Sequence, residues 1–255
     1  MNTTFSIDRL GLLLKRFFTE NKQRELTFWG ITTVVFLVMH LAGPHEKSIA
    51  VQIFLFISGF IFAARMFKVF NYTPGGMHYL LIPATHLEKL ITAILLTTVY
   101  YFAMILLTYV IGTTLGTTLG NLFWGSNNPL HFELLQSAGN YSVYQQSDMT
   151  LLNTFIAFAG IQSVFMLGSI YFKGNAIGKT MLVIIAVSIL FGLIELLLLK
   201  VTFGTYNIGS QTYNINITST EDLFPGIEII GQILKYALIP FFWIVSYFRL
   251  TEKQV

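Results

Sequence analysis

The chain has 255 residues, of which 54% are hydrophobic and only 11% charged, and its mean hydropathy is +0.67. Soluble domains carry about 25% charged residues, so the composition excludes an ordinary soluble enzyme and reads as an all-α polytopic membrane protein. With no cysteine there is neither a disulfide framework nor a thiolate metal site, and the net charge of +3 does not signal nucleic-acid binding once the charges are placed along the chain.

Residues 1–25 come first. Phe5, Leu10, Leu13, Leu14, Phe17 and Phe18 recur at helical spacing, with Asp8, Arg9, Lys15, Arg16 and Glu20 largely on the other side. This predicts an N-terminal cytoplasmic amphipathic helix, lying on the membrane surface with its basic residues toward anionic lipid headgroups, or packed on a soluble partner. Scattered charge and the lack of a small-residue cleavage site argue against a signal peptide.

Residues 26–255 read as a six-helix transmembrane domain. A span needs about 20 apolar residues to cross about 30 Å of hydrocarbon. The qualifying stretches are Leu26–Leu41, Ile49–Phe67, Leu87–Gly112, Leu151–Phe172, Thr180–Leu199 and Gly226–Phe248. With both termini in the cytoplasm, 12 of the 15 lysines and arginines fall on the inner side, as the positive-inside rule requires. Lys47, Lys200 and Lys235 are the exceptions.

Between the second and third spans lies the cytoplasmic segment 68–88. Pro74-Gly75-Gly76 marks a turn. Thr85 and Glu88 are spaced as a capping box, so the third span is predicted to start at Thr85. Met77–Ile82 ("MHYLLI") is apolar yet outside the membrane, and must fold on the helix ends or face another protein. Farther on, "GTTLGTTLG" sets Gly112, Gly116 and Gly120 four apart. They form either a helix face that lets another backbone approach closely or a loosened helix end. The outer loops 113–150 and 201–225 are polar and acidic on balance, too short for a large domain.

"KGNAIGKTM" (Lys173–Met181) imitates a nucleotide-binding loop. The pattern G-x-x-x-x-G-K-[ST] puts its first glycine five residues before Gly178, where Lys173 stands. The flanking runs are membrane spans rather than a strand and a helix, so the stretch reads as a tight turn between spans.

Glu195 and Lys235 are charged residues well inside spans. Glu195 lies about 24 Å beyond Lys179 and Lys235 about 20 Å before Phe248 along their helices, at similar depth. They are placed to pair, lining a substrate path or closing an outer gate. Alternatively, Lys235 snorkels outward and Glu195 caps a neighbouring helix. Pro240 is expected to kink the sixth span. The histidines (His40, His45, His78, His86, His131) lie in separate segments, and no H-E-x-x-H, G-x-S-x-G or paired intramembrane aspartate is present. Neither a catalytic residue nor a metal site is expected.

Six spans, an N-terminal amphipathic helix and a loaded segment after span two resemble the membrane-spanning subunit of ABC-2-type transporters. "GGMHYLLIPATHLEKLITAILLT" looks like that family's entry to the third span, carried here by Leu80, Leu81, Pro83, Ala84, Thr85 and Lys89. "LGSIYFKGNAIGKTMLV" resembles small permease-like proteins of Bacteroidetes-type bacteria.

The resemblance implies a permease subunit of a bacterial inner membrane, exporting a lipid-like, peptide or drug-like compound. Its coupling helix would lie within 68–88, at Tyr79, Leu80, Leu81, Pro83, Thr85, His86 and Glu88. The implied partners are an ABC-type ATPase subunit, a second permease subunit, identical or not, and membrane lipid. ATP and Mg would be bound by the ATPase and no cofactor by this chain. Glu221–Gln232 is expected to dip back into the membrane. The alternatives are a non-transporting scaffold or accessory subunit and an ion-coupled secondary carrier. A carrier normally shows an inverted repeat and broken helices with midplane charges, and neither is clear here.

Overall fold

From Thr19 to Phe28 the chain contains neither glycine nor proline, and Gln, Lys, Arg, Glu and Leu are strong helix formers. One 35-residue helix, α1 (Ile7–Leu41), therefore runs straight through the boundary expected at residue 25. The expected N-terminal helix and the expected first span are a single element about 52 Å long. The computed structural model describes residues 5–41, 48–68, 79, 81–125, 129–130, 132, 151–203 and 227–252, and among these there is no strand.

After α2 (Ser48–Met66) comes α3, His86–Trp124, a continuous 39-residue helix. Its start is fixed by Thr85, which has extended backbone and accepts the Glu88 N–H. A π-helical turn occupies Leu95–Tyr100. The helix stops at Gly125, whose φ of 60° is left-handed and suits a residue without Cβ. It does not stop at Gly112, so the first 12 residues of the expected outer loop belong to α3.

The remaining helices are α4 (Leu151–Tyr171), α5 (Ala176–Phe203) and α6 (Ile227–Glu252). Lys173 to Asn175 form the turn between α4 and α5, with Gly174 at φ 86°. Gly178, Lys179 and Thr180 sit inside α5, where Lys179 Nζ donates to the Lys173 carbonyl at 2.8 Å.

Among the described residues, three helices are long and apolar enough to cross a membrane: His86–Trp124, Leu151–Tyr171 and Ala176–Ile194. Ala50–Met66 is apolar but shorter, and α1 carries charge as far as Glu25.

α4 is the hub: α2, α5 and α6 all pack on it, while α1 packs along α3. A cluster of Phe67, Leu90, Met166, Ile170 and Leu250 gathers the end of α2, the start of α3 and the ends of α4 and α6. Arg9 reaches Glu88, and Thr180 presses on Gly168. Successive helices thus alternate in direction, and Ile7 and Glu252 lie at the same end of the bundle. Arg9, Arg65, Lys68, Lys89, Lys173, Lys179 and Arg249 share that end, called here the basic end.

Candidate functional site

At the basic end, one carboxylate ties two helix starts together. Glu88 completes the capping box by accepting the Thr85 N–H at 2.8 Å. Its other oxygen accepts the Ser6 N–H at 2.7 Å and Arg9 Nη2 at 2.8 Å, and Arg9 Nε lies 3.1 Å away. Ser6 in turn precedes α1 and accepts the Leu10 N–H. Glu88 is fully buried while the Arg9 side chain is 27% exposed. Such charge-assisted bonds are roughly twice as strong as neutral ones.

The segment leading into this latch is fastened to the helices around it. Tyr79 meets Phe67 edge-on, with ring centroids 6.3 Å apart, and Lys89 Nζ lies 5.4 Å from the Tyr79 ring. Burial pushes the Tyr79 phenol well above its usual range, against the opposing pull of the Arg16 charge, so it stays neutral. Leu81 is 76% exposed, and Pro83 and Leu87 also face outward. Of the residues expected to couple to a partner, Tyr79, Leu81, Pro83, Thr85, His86 and Glu88 surround this corner. Leu80 and residues 69–78 lie outside the described residues.

Behind the corner is a cavity of about 620 Å³ between α1, α2 and the start of α3. Arg9 pairs with Glu88 and Trp29 with Tyr100, so α1 is tied to α3 at two levels.

The cavity wall is one helical stripe of α1, including Arg16, Phe17, Glu20, Arg24 and Phe28, opposed by Ser58, Phe62 and Arg65 from α2 and Lys68 just beyond its end. Arg16 pairs with Glu20 at 2.6 Å and Arg24 approaches Glu25 at 3.8 Å. Glu25 is buried and accepts Trp29 Nε1 at 3.1 Å and the Tyr100 hydroxyl at 3.3 Å. Glu25 is thus interior rather than at the end of a surface helix, and its local sequence signal is Trp29 four residues on, which puts an indole N–H on the same helix face.

Gly112, Gly116 and Gly120 face α1. A Cβ on Gly116 would lie 2.6 Å from the Leu37 carbonyl oxygen and one on Gly112 2.9 Å from that of Thr33. Gly120 is 3.0 Å from the Leu41 oxygen by the same measure. Pro240 lies within α6, which continues past it. The side chains of Glu195 and Lys235 lie outside the described residues, as do residues 221–226 of the expected re-entrant segment; residues 227–232 are helical, in α6. His40 bonds the Phe36 carbonyl at 2.8 Å. His45, His78 and His131 lie outside the described residues. Among the described residues, no three His, Cys, Asp or Glu side chains converge.

Among protein-family models, curated proteins and solved structures, none matches this chain.

Proposed function

We propose that the chain is the membrane-spanning permease subunit of an ABC-2-type transporter, residing in a bacterial inner membrane with all six helices crossing and both termini in the cytoplasm. In this reading two such subunits, identical or not, form the pathway, and a separate ATPase docks at the basic end and hydrolyses ATP. Export of a lipid-like, peptide or drug-like compound is the transport it serves.

The observation that carries the reading is the corner at 79–88. It presents exposed apolar side chains, Leu81 and Leu87, on a short segment anchored at both ends, by Tyr79 on α2 and by Glu88 on α1. Exposed apolar residues outside a bilayer suit a protein partner, and a segment fastened to three helices would pass a push from that partner into them.

A mild-detergent pull-down of the tagged chain from its native membrane tests this. A stoichiometric P-loop ATPase that disappears with Leu81→Glu, while the chain still elutes as a folded species, is the expected result. A homo-oligomer with no ATPase, also under crosslinking, would overturn the reading in favour of a scaffold.

A further inference from the structure

We propose that the cavity between α1 and α2 binds the headgroup of an anionic lipid, with its phosphate at Arg65 and Lys68 and its acyl chains along Phe17, Phe28 and Phe62. The charges lining the cavity carry the argument. Arg16 and Arg24 are answered by Glu20 and Glu25, and Glu25 is further engaged by Trp29 and Tyr100. Arg65 and Lys68 line the same cavity and, among the described residues, pair with no carboxylate. Two positive charges are left over on the wall of a partly open cavity.

The rest of the lining is largely apolar: Phe62, one turn before Arg65 on α2, meets Phe17 of α1 edge-on at 6.5 Å, and Phe28 and Leu96 line the same space. Thus one end of the space asks for an anion and the rest asks for hydrocarbon. A free phosphate satisfies only the first, and a neutral lipid only the second. A volume of about 620 Å³ lies within the range of about 300–1,000 Å³ of ligand-binding pockets. The site stands independently of the permease reading, because no ATPase or transport step enters the argument.

The test is native mass spectrometry of the full chain with added phosphatidylglycerol, phosphatidylcholine or glycerol phosphate. The wild type should retain phosphatidylglycerol in preference to phosphatidylcholine. The double variant Arg65→Gln, Lys68→Gln should lose this preference, weakening phosphatidylglycerol binding by about 20- to 30-fold from the loss of two interfacial cations. The charge-keeping swap Arg65→Lys, Lys68→Arg should retain it, which excludes misfolding as the cause. Lys173→Gln, Lys179→Gln, at the same end but outside the cavity, should leave it unchanged.

A preference that survives in the double variant, or equal retention of both lipids, overturns the proposal and leaves Arg65 and Lys68 as favourable charges at the C-terminus of α2. Competition by glycerol phosphate as effective as that by the lipid overturns the lipid assignment in favour of a free-anion site.

Discussion

Glu88 concentrates three roles in one side chain shut off from solvent: it completes the cap of α3, holds the Ser6 N–H and binds Arg9. Removing one partner of a buried pair leaves the other uncompensated, at a cost of about 3–5 kcal/mol in fully buried cases. Arg9 is partly exposed, so Arg9→Gln and Glu88→Gln are each expected to cost less, about 1–3 kcal/mol. Together they should show a coupling energy of about 1–2 kcal/mol in a double-mutant cycle by denaturant unfolding. Additive losses would mean that the two residues stabilise the fold separately. The glycines give a second contrast. Gly116→Ala forces a Cβ onto the Leu37 carbonyl and His40, whereas a Cβ at Gly30 of α1 meets nothing within 4 Å. We expect Gly116→Ala to destabilise by about 1–3 kcal/mol. Gly30→Ala should be neutral, or stabilising by up to about 1 kcal/mol through helix propensity. Thermal unfolding of the two variants side by side decides it.

At the scale of the element, α3 is interrupted by a π-helical turn at Leu95–Tyr100. The turn inserts residues between a start fastened to Arg9 and a second half fastened to α1 by the glycines and to α2 by the Tyr101 hydroxyl, which donates to Ser58 Oγ at 2.7 Å. Such π-turns amount to insertions and often sit at functional positions. Deleting Val99, which lies exposed within the turn, should remove the extra residue and restore α-helical bonding while the start of α3 keeps its facing toward α1. The Arg9–Glu88 coupling should then persist in the same double-mutant cycle with the bundle folded. Loss of the coupling would show that the wide turn itself sets the position of Glu88.

This element also separates what could be read in the sequence from what could not. Thr85 and Glu88 are three residues apart, and the glycines four apart, so the cap and the close-approach face are written in local spacing. Arg9 and Glu88 stand 79 residues apart, and no local pattern brings them together. The π-turn falls in Leu-Leu-Thr-Thr-Val-Tyr, where nothing in the side-chain types distinguishes it from the α-helix on either side. The charge run of 15–25 suggested a surface helix ending at residue 25. Charge alone does not break a helix, and without glycine or proline it continues into the apolar stretch. The cavity is not legible locally either, since its lining comes from three helices far apart in the sequence rather than from any motif.

For the molecule as a whole, the alternation of helix directions makes a topological prediction. Cations are retained on the side where the chain is made. Arg9, Arg65, Lys68, Lys89, Lys173, Lys179 and Arg249 share one end of the bundle, so that end should face the cytoplasm. The chain has no cysteine, so every single-cysteine variant reports one position without background. Asp8→Cys, Lys173→Cys and Glu252→Cys replace exposed residues at the basic end, and Pro129→Cys replaces an exposed residue beyond the far end of α3. In intact cells a membrane-impermeant maleimide should label Pro129→Cys, and label the other three only after the membrane is permeabilised. Equal labelling of Asp8→Cys and Pro129→Cys in intact cells would place the start of α1 and the end of α3 on one face. Arg9 and Glu88 at one end of α3 and Gly125 at the other would then have to lie on the same side of a membrane, which a straight helix of about 58 Å crossing it does not allow. Labelling of Asp8→Cys and Glu252→Cys from opposite faces would instead break the alternation, and with it the common end at which the latch, the cavity and the proposed docking corner all lie.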